Sequence, residues 1–131
     1  MVEDLTDEMK NYPVPIKVIS GSLYVGTTET SEDEEYMIEK GITKRVQVIE
    51  VISDDLFDDL DRLLFQNECV LVYASGLGKP FVAVAAYLMR RFHWHVDKSL
   101  DYLEFQYADE LQIRRRDIVK LEGYLDRLMR E

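Results

Sequence analysis

Apolar side chains recur along this chain at two different periods, and the alternation between them outlines an α/β domain. Ile16-Lys17-Val18-Ile19 and Leu23-Tyr24-Val25 are short β-rich runs split by Ser20-Gly21-Ser22, a combination that predicts a hairpin. Ser31 followed by Glu34 has the form of a capping box, with Glu32 and Asp33 well placed in a first turn. The helix it opens, through Tyr36, Met37 and Ile38, is expected to stop at Gly41, the natural left-handed terminator. Val46, Val48, Ile49, Val51 and Ile52, mostly β-branched, predict a strand running as far as Ile52. Ser53 then caps a helix in which Leu56, Phe57, Leu60, Leu63 and Leu64 recur at helical spacing. Asp54, Asp55, Asp58, Asp59 and Asp61 cover its other side.

Cys69-Val70-Leu71-Val72 is a continuous apolar run, the pattern of a strand buried on both faces. Tyr73 to Lys79 reads as a loop, and Pro80 as the first residue of the next helix, where its missing N–H matters least. From Phe81 to Met89 that helix is apolar on nearly every side, which places it at the centre of the domain. Asp97 or Ser99 is expected to cap a further helix that buries Leu100, Leu103 and Tyr107. Asp117 is expected to cap the last, with Ile118, Leu121, Leu125 and Leu128 on one stripe. Residues 1–12 read as a loosely held acidic tail, followed by a single domain over 13–131. The order β-β-α-β-α-β-loop-α-α-α predicts a central, mostly parallel sheet of about four to five strands, with helices on both faces and a helical C-terminus.

Composition narrows the functional classes. Of 131 residues, 26 are acidic and 16 basic, a formal net charge of -10. Such an excess repels nucleic-acid phosphates and anionic lipid, so neither partner is expected. It also opposes capture of a phosphorylated, acidic partner unless a local basic pocket overrides it. The longest apolar run, Phe81 to Met89, is far short of the about 20 residues of a membrane span, and the N-terminus carries no apolar signal segment. One cysteine, Cys69, leaves no disulfide framework and points to an intracellular compartment, cytoplasmic or nuclear.

The segment Val70-Leu71-Val72-Tyr73-Ala74-Ser75-Gly76-Leu77-Gly78-Lys79-Pro80 leads into Ala86-Tyr87-Leu88-Met89-Arg90. Strand, glycine-containing loop and buried helix are the parts of an anion cradle. The segment resembles the signature of dual-specificity and related protein tyrosine phosphatases, His-Cys-x-x-Gly-x-x-Arg-Ser/Thr before a helix containing Ala-Tyr-Leu-Met. Gly76 sets the register. Ile19, Leu23-Tyr24-Val25-Gly26, Gly41-Ile42-Thr43 and Val96-Asp97-Lys98-Ser99-Leu100 extend the match over roughly residues 16–130.

The resemblance implies a phosphatase fold, and it also implies that the chemistry is gone. Tyr73 stands at the position of the nucleophilic cysteine; a phenol, with a pKa near 10 in isolation, is a poor nucleophile. Its ring is expected to fill the space a phosphoryl group would enter. Lys79 replaces the arginine and loses the planar fork that grips two oxygens. Pro80 lacks the hydroxyl that assists the thiolate, and Val72 replaces the supporting histidine. The loop carrying the general acid reads as deleted, with Asp54 and Asp55 close to its place as ordinary first-turn carboxylates.

The expectation is therefore the catalytically inactive branch of that family: a protein-binding scaffold or regulatory domain with no cofactor. Its partner would be a protein, such as a phosphoprotein or an active phosphatase or kinase. A module binding phosphate through the remnant loop Tyr73 to Lys79, and a weak residual phosphohydrolase, are the alternatives.

Other features read more plainly. Cys69 reads as core filling. Gly76-Leu77-Gly78-Lys79 fails as a nucleotide loop because Tyr73 occupies the first glycine position and Pro80 the magnesium-ligand position. His93 and His95 lack further metal ligands. Arg114-Arg115-Arg116, with Arg90 and Arg91, are weighed as a phosphoprotein patch and read as solvated. The acidic runs read as solvated helix faces.

Overall fold

The computed structural model describes residues 16–18, 21–107 and 113–130, and the expected tail at 1–12 lies outside them. Among the described residues four strands form one sheet: β1 Ile16–Val18, β2 Gly21–Thr27, β3 Lys44–Gln47 and β4 Cys69–Ala74. Their order is β1-β2-β4-β3, with β1 antiparallel to β2 and both β2 and β3 parallel to β4. The mostly parallel sheet expected from the sequence is therefore present, with β4 at its centre.

Side-chain alternation divides the interior into two cores. Leu23 and Val25 of β2 and Val70, Val72 and Ala74 of β4 face the larger one. Tyr24 and Leu71 face the smaller, with Cys69 and Tyr73 packed against it. Between β2 and β3 lie helices α1 Thr28–Glu32 and α2 Glu34–Lys40. Tyr36 and Met37 of α2, with Ile42, close the smaller core. On the other face lie α3 Asp54–Phe65, α4 Gly78–Phe92, α5 Val96–Tyr107 and α6 Arg115–Arg130. The sheet is thus covered on both sides.

Helix α4 is the centre of the larger core, as its pattern predicts: Phe81 through Met89 are at most 1% exposed. Burial of each large side chain there stabilises the fold by about 1.5–3 kcal/mol relative to exposure. In α3, Leu56, Phe57, Leu60, Leu63 and Leu64 are buried, and Ser53 caps it by accepting the Leu56 N–H at 3.3 Å. Gly41 ends α2 with φ 72°, a conformation in which a Cβ would clash with the backbone.

Several boundaries differ from the sequence reading. Thr27, not Ser31, opens the first helix through a capping box with Thr30; Ser31 is buried and donates to Thr28 O at 2.6 Å. Asp33 then caps α2 by accepting the Tyr36 N–H at 3.1 Å. A single helix gives way to two because the Asp33 carboxylate competes for the backbone donor. Asp97 and Asp117 lie inside the first turns of α5 and α6, and Ser99 is buried within α5. Strand β3 stops at Gln47, not Ile52, and Ile49 is 76% exposed. The β-branched residues that suggested a longer strand have only one ladder partner, β4, and it ends.

Candidate functional site

The sheet's central strand ends at Ala74, and the chain turns through Ser75, Gly76 and Leu77 into α4. The loop is shorter than the expected Tyr73 to Lys79: Tyr73 and Ala74 belong to β4, while Gly78 and Lys79 begin α4. Pro80 is the third helical residue rather than the first. It remains in the first turn, where an N–H would have no intrahelical acceptor. Leu77 occupies the N-cap position and makes no side-chain cap hydrogen bond. Unlike α3, whose Ser53 supplies an acceptor, α4 starts with donors of Leu77, Gly78 and Lys79 that no side chain among the described residues satisfies. Such a helix start favours an anion through its N–H groups and its dipole.

A cavity of about 380 Å³ opens above this start. Ser75, Gly76, Leu77, Gly78 and Lys79 form one wall, and Val51 and Val82 supply apolar surface. The far wall comes from the beginning of α6: Arg114, Arg116, Asp117 and Lys120. Among the described residues, four cationic side chains meet one carboxylate there, in a chain whose overall charge is -10. Asp117 is partly committed, since its carboxylate accepts the Arg114 backbone N–H at 3.0 Å. Arg45, Arg62, Arg90 and Arg127 each hold a carboxylate elsewhere. The four cavity cations have no carboxylate partner among the described residues. The geometry suits a small, multiply charged anion.

Tyr73 is not in this cavity, which corrects the expectation that its ring fills the phosphoryl space. Adjacent strand residues point to opposite faces. Ala74 and Val72 join the larger core beneath α4, and Tyr73 packs against the smaller core of Tyr24, Tyr36, Met37, Ile42 and Leu71. Cys69 shares that second face, with its Sγ 3.9 Å from Lys40 O, so it too is remote from the cavity. Of the sequence-selected residues, Ser75 to Lys79 line the cavity; Val72, Tyr73, Ala74 and Pro80 do not.

The acid candidates are also placed. Asp54 and Asp55 lie in the first turn of α3, with Asp54 bound to Arg127 at 2.8 Å. Neither lines the cavity. Because β3 stops at Gln47, the chain reaches α3 through a short segment, Val48 to Ser53, rather than directly from Ile52, and Val51 of that segment lines the cavity. The five arginines weighed as a patch and read as solvated do not form one group. Arg114 and Arg116 face the cavity, whereas Arg90 is drawn to Asp58 and Arg91 lies over the Phe65 ring. Sequence reasoning missed the meeting of Arg116 and Lys120 with Ser75 to Lys79. The available signal was their spacing of four, which puts both on one face of α6.

Among the described residues no group of His, Cys, Asp and Glu could hold a metal ion, and no helix is long and apolar enough to cross a membrane.

Comparison with solved structures identifies the architecture. A mouse putative dual-specificity phosphatase complexed with zinc tungstate superposes with a TM-score of 0.73 at 14% identity, over 90% of this chain and 89% of that one. A leucine-rich-repeat and phosphatase-domain protein from Entamoeba histolytica gives 0.71 at 14%, over 95% and 96%. The human tyrosine phosphatase-like serine/threonine/tyrosine-interacting protein gives 0.70 at 12%, over 88% and 97%. This chain therefore has the fold of dual-specificity phosphatase domains. No protein-family model and no curated protein matches its sequence.

Proposed function

We propose that this domain uses a phosphatase fold to hold a phosphorylated protein partner without hydrolysing it, acting as a scaffold or regulator. The observation that carries the reading is the chemistry of the cavity wall. It offers backbone donors and four cations for a phosphoryl group, but no thiol to attack one. Among the described residues its single hydroxyl, Ser75, has no imidazole on the same wall and no free carboxylate beside it to serve as base. The only carboxylate there among the described residues, Asp117, already accepts a backbone N–H. Phosphate recognition gains weight from Tyr73, which packs elsewhere, and from Gly76, where an added Cβ would meet nothing within 4 Å. The fold neighbours agree in kind: one holds tungstate, an oxyanion, and another is named as phosphatase-like and interacting.

Two measurements test the proposal together. Inorganic phosphate titrated to millimolar concentration should shift the amide resonances of Ser75 to Lys79 and saturate. Aryl phosphate should turn over no faster than in buffer. Saturable shifts without turnover support the reading. Turnover that disappears in Lys79→Ala would establish a hydrolase instead.

A further inference from the structure

We infer that the α6 side of the cavity is a second anion subsite, so that the preferred ligand is a phosphorylated residue with an acidic side chain nearby. This rests on the phosphate-recognition reading above. A phosphoryl group carries about two negative charges, and the uncapped start of α4 with Lys79 is equipped to meet it. Arg114, Arg116 and Lys120 remain, opposed among the described residues only by Asp117. That leaves positive charge unmatched after one phosphoryl group is bound. Arg116 and Lys120 are four residues apart on α6, so their side chains start about 5–6 Å from each other, close enough to share one carboxylate. Both are exposed, and neither is held by a carboxylate of this chain among the described residues.

The rest of the molecule argues for a peptide rather than a membrane surface. A net charge of -10 repels a sheet of anionic lipid, because many of those charges approach it at once. A single extended segment brings its charges only to the cavity. The repulsion from the remaining surface then decays over about 8 Å at physiological salt. Val51, Leu77 and Val82 give the stem of the phosphorylated residue apolar surface to lie on.

The test uses two labelled peptides of equal length, each with one phosphoserine. One carries glutamates two and three positions beyond it, and the other carries glutamines there. Fluorescence anisotropy should give roughly tenfold tighter binding of the acidic peptide at low salt, the sum of two solvent-screened contacts. The ratio should fall toward one as salt rises. Arg116→Gln combined with Lys120→Gln should bring the ratio to about one at low salt as well; circular dichroism confirms that this surface variant is folded. Equal affinities for the two peptides, or a preference that survives the double variant, would overturn the inference while leaving phosphate recognition intact. Failure of inorganic phosphate and both peptides to bind would remove the underlying reading as well. Stronger capture by phosphatidylcholine vesicles containing a phosphoinositide than by the acidic peptide would overturn the inference in favour of a lipid headgroup.

Discussion

Replacing Tyr73 by alanine separates a packing role for this ring from an obstructing one. The side chain is partly buried on the α1/α2 face, against Tyr24, Tyr36, Met37, Ile42 and Leu71. Removing a fully buried aromatic side chain costs about 3–5 kcal/mol. Part of this ring already faces solvent, and water can enter the space left behind, so the cost falls to about 2 kcal/mol. For a chain of this length that lowers Tm by roughly 6–10 °C. The cavity lies on the α4/α6 side of β4, and Tyr73 contributes nothing to its wall. The phosphate Kd should therefore stay within about twofold, since sites without shared partners act almost independently. Thermal unfolding by circular dichroism and phosphate titration by NMR read the two quantities on the same samples. An obstructing ring would give the opposite pair: tighter phosphate binding and an unchanged Tm. That outcome would refute the placement of Tyr73 and the account of the cavity built on it.

Three further outcomes follow from the packing. Gly21→Ala should destabilise by about 2–3 kcal/mol in chemical denaturation, an overpacking cost, because its Cβ would lie 2.7 Å from the Glu68 carbonyl oxygen and 2.9 Å from Leu64 Cδ2; an unchanged midpoint would contradict that close approach. Burial, and then the 2.7 Å hydrogen bond to Asp61, hold the Tyr87 phenol protonated far above its ordinary value. Unfolded phenols titrate near 10, so above about that pH the unfolded chain releases a proton that the folded chain keeps, and stability falls. Tyr87→Phe should flatten this fall in Tm measured from about pH 8 to 11, leaving the residual slope of Tyr24 and Tyr124, which burial also raises; an unaltered slope would count against it. Finally, Tyr73→Cys with Lys79→Arg and Pro80→Ser should give no turnover of aryl phosphate, because the new sulfur would sit on the face away from the cavity. Clear turnover would show that the strand end can rotate.

The elements that the sequence made legible are those with one dominant signal. The aspartate-coated α3 and α4, apolar from Phe81 to Met89, are specified by period and composition, and they lie where those patterns imply. Boundaries were less legible where two local signals compete. Ser31 with Glu34 looked like one capping box, yet Thr27 with Thr30 and Asp33 with Tyr36 divide the segment into two helices. In Val46 to Ile52, β-propensity persists after the ladder to β4 has ended, and propensity without a hydrogen-bonding neighbour does not make a strand.

The candidate site divides in the same way. Read by itself, the chain determines the strand, the glycine-containing turn and the buried helix, and with them the residues Ser75 to Lys79 that form one wall. These are neighbours in sequence, and local geometry follows from local order. Only the tertiary structure decided which face of β4 receives Tyr73, because a one-residue difference in where a strand ends reverses every side chain beyond it. It alone also brought Arg114, Arg116 and Lys120 to the loop, across some forty residues of chain, by laying α6 against α4. Charges so far apart in sequence acquire a common field only when packing sets the distance between them.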